Sequence, residues 1–184
     1  MASWVGRIKT QLSGRGKSAA PAIEPDYRVL FVCMGNICRS PTVEAVFKEV
    51  ARRELPDRVI EIDSAGTHAY HDGHAPDPRA QRAAQRRGID LSALRARRIQ
   101  AEDFSRYDLV LAMDPLNVAV MEEHCPAEHR ARIRLLMEFA PAIDREDVPD
   151  PYYGGSNGFE YVLDLAEEAS AGLIAFVKAE LAKP

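Results

Sequence analysis

The first sustained hydrophobic signal along the chain is the run Val29-Leu30-Phe31-Val32, apolar at every position and rich in β-branched and aromatic residues. A run without alternation predicts a strand covered on both faces. After a short polar loop the period changes, and Val43, Val46, Phe47 and Val50 recur three and four apart, as one stripe of a helix. Ser40 is expected to cap that helix and Pro41 to sit in its first turn. The same alternation then repeats. Val59-Ile60-Glu61-Ile62 predicts a second strand, residues 77–87 a helix closed by Gly88, and Leu109-Val110-Leu111 a third strand. A helix over about 115–124 and a fourth strand from Ile133 to Leu136 follow. A long final helix should bury Phe159, Val162, Leu163, Ala166, Leu173, Ile174 and Val177. Alternating strands and helices predict the α/β class: a single three-layer domain with a central four-stranded parallel sheet flanked by helices. Ligands of such sheets bind beyond the carboxyl ends of the strands, which directs attention to the loop after the first strand.

Composition narrows the picture without changing it. At 184 residues and 46% hydrophobic content, the chain suits one well-filled core. Residues 1–26 carry Arg7, Lys9, Arg15 and Lys17 among small and proline residues, and read as a flexible basic tail ahead of a domain over 27–184. Trp4, Val5, Ile8 and Leu12 are too few to argue a membrane-surface helix there. The formal charge of −4 gives no general reason to expect nucleic acid as a partner. Three cysteines, Cys33, Cys38 and Cys125, are an odd and sparse set, better suited to a reducing cytoplasm than to a secreted disulfide scaffold. No apolar run reaches the ~20 residues of a bilayer span, so neither an integral membrane segment nor export is expected.

The loop after the first strand reads Cys33-Met34-Gly35-Asn36-Ile37-Cys38-Arg39-Ser40 and leads directly into a helix. Unpaired N–H groups at a helix start, with the helix dipole, cradle a tetrahedral oxyanion such as phosphate. Arg39 at the far end can fold back and grip two oxygens with its planar fork. Cys33 would then lie at the bottom of the bowl, where donors and a guanidinium favour the thiolate, the form that attacks. Ser40 can add a hydroxyl hydrogen bond to that sulfur. Gly35 is expected to let the backbone turn where a side chain would obstruct it, and Asn36 to tolerate left-handed dihedrals and brace the loop through its amide. Expelling the alkoxide or phenoxide of a phosphate monoester also needs a proton donor. Asp150, held between Pro149 and Pro151 and followed by Tyr152 and Tyr153, is a candidate, although an ordinary Asp-Pro turn accounts for that composition equally well.

Taken together, Val32 to Pro41, Asp63-Ser64-Ala65-Gly66-Thr67, Pro76-Asp77-Pro78-Arg79 and Asp150-Pro151-Tyr152-Tyr153 resemble, in order, the motifs of the low-molecular-weight protein tyrosine phosphatase family, over about residues 27–180. The resemblance implies that Cys33 forms a phosphoenzyme, that Arg39 binds phosphate and stabilises the transition state, and that Asp150 protonates the leaving oxygen and then helps water release phosphate. It further implies that Met34, Gly35, Asn36, Ile37, Cys38 and Ser40 shape the substrate site, that Tyr70, Tyr152 and Tyr153 form its rim, and that Ser64 braces Asn36. Cys38 would capture an oxidised Cys33 as a reversible disulfide. No cofactor or metal is implied, and the partner is a tyrosine-phosphorylated protein or peptide, with weak self-association left open. Rival readings are phosphoarginine hydrolysis, which Ile37 disfavours, arsenate reduction, which would need further downstream thiols, and a non-catalytic phosphate-binding module. His68, His71 and His74 read as loop residues rather than metal ligands. The arginines at 79, 82, 86, 87, 95, 97 and 98 read as a solvated face, with docking of acidic phosphopeptides or a membrane as the alternative.

Overall fold

A computed structural model describes residues 23–152 and 156–184. The N-terminal stretch up to residue 22 and Tyr153 therefore lie outside the described residues. Strand β1 (Tyr27–Cys33) leads into helix α1 (Arg39–Glu54), followed by β2 (Ile60–Gly66), α2 (Pro78–Arg86), α3 (Ala101–Arg106), β3 (Leu109–Ala112), α4 (Pro115–His124), β4 (Ile133–Leu135) and α5 (Ser156–Leu181). The four strands form one parallel sheet in the order β2-β1-β3-β4. The predicted architecture is the one observed.

Because successive side chains of a strand point to opposite faces, β1 supplies both cores. Val29, Phe31 and Cys33 face α1, α2 and α5, where Phe47, Ala83, Phe159, Leu163 and Val177 close over them. Leu30 and Val32 face the other way, onto Phe104 of α3 and Met121 of α4. Every apolar position assigned to the final helix is buried. Gly88, at φ 75°, terminates α2 as its position suggested.

Three local expectations need correction. Strand β2 does not end at Ile62 but continues through Asp63-Ser64-Ala65-Gly66, because each residue from Ile60 to Gly66 pairs with one of β1. Ser40 does not cap α1. The helix begins at Arg39 with Cys38 at the cap position, and the Ser40 hydroxyl makes the other bond expected of it, to the Cys33 sulfur. Short α3 went unseen, since six residues with one large apolar side chain carry no periodicity. On the tail side, the backbone N–H of Asp26 bonds Val59 and its carboxylate accepts from Arg58 and the Val59 N–H, which pins the chain just before β1.

Candidate active site

Cys33 ends β1 with its sulfur held from two sides: the Asn36 backbone N–H donates to Sγ at 3.2 Å and the Ser40 hydroxyl at 3.1 Å. Both are available because the chain reverses between them, and the reversal turns on Asn36, the one non-glycine residue with positive φ (54°) among the described residues. The Asn36 side chain is then fixed at both its polar atoms. Its Oδ1 accepts from the Arg97 backbone N–H at 3.0 Å, and its Nδ2 donates to Ser40 Oγ at 2.9 Å and Ser64 Oγ at 2.7 Å. A side chain at Gly35 would be in the way, as expected: a Cβ there would lie 3.0 Å from the His71 ring, and the left-handed φ of this turn is at Asn36 rather than at Gly35.

Arg39 enters from the first turn of α1 and is buried. Its Nη1 donates to Asp114 Oδ2 at 2.5 Å and to the Val148 carbonyl at 3.1 Å, while Nη2 lies 3.5 Å from Asp150 Oδ2. Burial alone would pull its pKa down, but Cys33, Asp114 and Asp150 outweigh that and raise it. Asp114 serves two neighbours, since its Oδ1 also accepts from the Asn117 N–H at the start of α4. Asp150, with a 43% exposed side chain, accepts from the Tyr152 N–H at 3.1 Å.

Met34, Gly35, Ile37, Cys38, Tyr70, His71 and Tyr152 join Cys33, Arg39 and Asp150 around one cavity of about 380 Å³. Three separate segments thus meet as the sequence reading expected. The side chains of Asn36 and Ser40 are buried and bonded to each other behind the residues that line the cavity. Tyr70 is 71% exposed and stacks on His68 with centroids 5.1 Å apart. Cys38 is buried with its thiol pushed up by desolvation, and Cys33 and Cys38 are both unbridged. Cys125 is on the opposite face of the sheet, its thiol against the Pro126 carbonyl.

Several contributors escaped the sequence reading. Asp114 was legible only as an Asp-Pro helix start. His71 was weighed as a metal ligand, and it lines the bowl; among the described residues no group of three or more histidine, cysteine or acidic side chains could hold a metal. The Pro76 to Arg79 motif proves to be a tether. Its Asp77 N–H donates to the Ile37 carbonyl, and Asp77, held low by Arg79, orients that guanidinium to donate to the Tyr152 carbonyl at 3.0 Å. The loop after β1 and the segment that carries Asp150 are thereby tied to the same helix start. Most of the arginine run is likewise spoken for: Arg86 and Arg87 pair with Glu160, Asp164 and Glu167 of α5, and Arg97 with Asp63 and Asp103.

One cavity thus brings together a thiol, a buried guanidinium and a partly exposed carboxyl group. A family model described as low molecular weight phosphotyrosine protein phosphatase matches residues 28–183. A low molecular weight protein-tyrosine-phosphatase of Streptomyces coelicolor is 44% identical over 158 residues, covering 84% of this chain and 96% of that protein. The low molecular weight phosphotyrosine protein phosphatase of Schizosaccharomyces pombe is 45% identical over 133 residues, 72% of this chain and 85% of its own. Among solved structures, a protein tyrosine phosphatase from Entamoeba histolytica with Hepes in the active site superimposes with a TM-score of 0.79 at 36% identity, covering 84% of this chain and 98% of that one. YfkJ from Bacillus subtilis gives 0.78 at 33% identity, over 90% and 99%.

Proposed function

The chain belongs to the low-molecular-weight protein tyrosine phosphatase family and is an enzyme of that class, and from this premise we propose that it hydrolyses phosphotyrosine in proteins through a phosphocysteine on Cys33. The observation that carries the proposal is the convergence of Cys33, Arg39 and Asp150 on one cavity.

In the first step the Cys33 sulfur attacks phosphorus in line with the bond to the tyrosine oxygen. As that bond breaks, the Asp150 carboxyl gives its proton to the departing phenoxide, a role worth ~10²- to 10⁴-fold in rate. Arg39 and the loop N–H groups hold the equatorial oxygens, whose charge needs positioned donors more than covalent help. In the second step the Asp150 carboxylate takes a proton from water, which attacks phosphorus, breaks the P–S bond and frees inorganic phosphate. The Ser40 hydroxyl and the Asn36 N–H receive the sulfur as it leaves with the electron pair.

Ile37, Met34 and the rings of Tyr70 and Tyr152 give the cavity an apolar and aromatic lining, which supports a phenyl ester over a guanidino group. Residues 27–184 constitute the catalytic domain in our reading. No helix among the described residues is long and apolar enough to cross a membrane, and a working thiol favours the reducing cytoplasm as its place of action.

Hydrolysis of an aryl phosphate, a phosphotyrosine peptide and phosphoarginine by wild type and Cys33→Ser, with chelator and reductant present, tests the proposal. Turnover of the two aryl substrates that disappears in the variant is expected. Turnover that survives Cys33→Ser, or a preference for phosphoarginine, contradicts it.

A further inference from the structure

Behind the bowl, the braces of Cys33 run on to a group that the chemistry above does not use. Glu44, one helical turn after Ser40 on α1, is a carboxylate with a 3% exposed side chain. Its Oε2 accepts from the Ser64 hydroxyl at 2.5 Å, and its Oε1 is bonded to the Lys48 ammonium one turn further along. Lys48 itself is 44% exposed.

The donor count along this chain leaves one orientation. The Arg97 N–H can only donate, so Asn36 must present Oδ1 to it and Nδ2 to the two serines. Each serine hydroxyl, having accepted from the amide, has a single proton left. Ser64 sends its proton to Glu44; Ser40 sends its proton to Cys33 at 3.1 Å, the alternative being the Ala65 carbonyl at 3.4 Å. One amide therefore links two acceptors, the Cys33 sulfur in the bowl and the Glu44 carboxylate behind it. In the attacking form of Cys33 the two share a sign, and both groups are buried.

We propose that Lys48 is a positioning residue of the active site: by pairing with Glu44 it holds that carboxylate charged and neutralised, so that it orders the Ser64–Asn36–Ser40 brace without opposing the thiolate of Cys33. The inference rests on Cys33 being the nucleophile. Without the ammonium, the charge on Glu44 stands uncompensated and opposes the thiolate, which lowers the population of the attacking form. Burial already pushes the Glu44 pKa up, against which the bonds from Lys48 and Ser64 act.

The other charge facing this spot is Asp63, which raises Glu44 further. Its carboxylate is occupied by Arg97, the Ser64 N–H and the Tyr107 hydroxyl. Among the described residues, Lys48 is the cation paired with Glu44. An i,i+4 pair on a helix surface is worth only a few tenths of a kcal/mol, so an ordinary surface pair would leave no trace on Cys33.

The test is the pH dependence of iodoacetate alkylation, read by mass spectrometry on the Cys33 peptide in the full chain. Lys48→Met is expected to move the alkylation profile to higher pH and to slow alkylation on the acid side by roughly three- to tenfold. Lys48→Arg should retain the wild-type profile, and Glu44→Gln combined with Lys48→Met should restore it, since Gln still accepts from Ser64 and carries no charge. A profile unmoved by Lys48→Met, or unrestored in the double variant, overturns the inference while leaving the phosphatase reading intact. Alkylation of Cys33 that leaves turnover undiminished removes the nucleophile assignment and this inference with it.

Discussion

The thiol wall of the phosphate bowl is drawn from residues seven positions apart, Cys33 to Ser40, plus Ser64 from the neighbouring strand, and the polar groups of Asn36, Ser40 and Ser64 are paired and buried. The opposite wall is gathered from afar. Arg39 reaches Val148 across 109 positions, meets Asp114 on the way, and faces an Asp150 whose side chain is 43% exposed. In the proposed reaction the first wall keeps the attacking sulfur in one place, and a closed network does that because any rotation leaves a buried polar group unsatisfied. The second has to release and take up a proton and admit water, which a fully enclosed carboxylate would do poorly. Fixed nucleophile and accessible acid are the two demands of that proposed reaction, met by local and by long-range structure respectively.

If the acid wall works as argued, its loss should depend on the substrate. Asp150→Asn is expected to lower kcat for phenyl phosphate by about 10²- to 10⁴-fold but to cost far less with a nitrophenyl ester, whose phenoxide leaves with little help. A loss of equal size on both esters, measured by steady-state kinetics, would show that Asp150 acts on something other than the leaving oxygen. A smaller effect sharpens the same contrast. Asp114→Asn keeps the hydrogen-bond acceptor at the start of α4 yet removes the charge that aims Arg39, so kcat/KM should fall about tenfold while the melting temperature changes little. Unchanged kinetics in that variant would mean that the Val148 carbonyl and the helix alone aim the guanidinium.

The same contrast explains what could be read without coordinates. The thiol wall was legible almost in full, because a buried strand, a Gly-Asn turn and a helix start within one short segment dictate where Cys33 and Asn36 must sit. Even there the Ser40 cap was misplaced, since a hydroxyl at a helix start satisfies a backbone N–H or a sulfur equally well and only the third dimension decides between them. Asp150 was visible as a proline-braced acid, but its nearness to Arg39 came only from the resemblance, and no periodicity could supply it. Asp114 and Glu44 were invisible for a stronger reason. Asp114 stands at an ordinary helix cap and Glu44 in an ordinary i,i+4 pair with Lys48, and what distinguishes them is a partner from another strand or helix: Arg39 for Asp114, Ser64 for Glu44.

The central claim, that phosphate passes through the sulfur of Cys33, is tested most directly by mixing wild-type protein with a radiolabelled phosphotyrosine peptide, quenching within milliseconds and mapping the label. The account predicts acid-trapped phosphate on the peptide containing Cys33, absent from Cys33→Ser. Turnover with no protein-bound label, or label on a histidine or carboxylate, would contradict it.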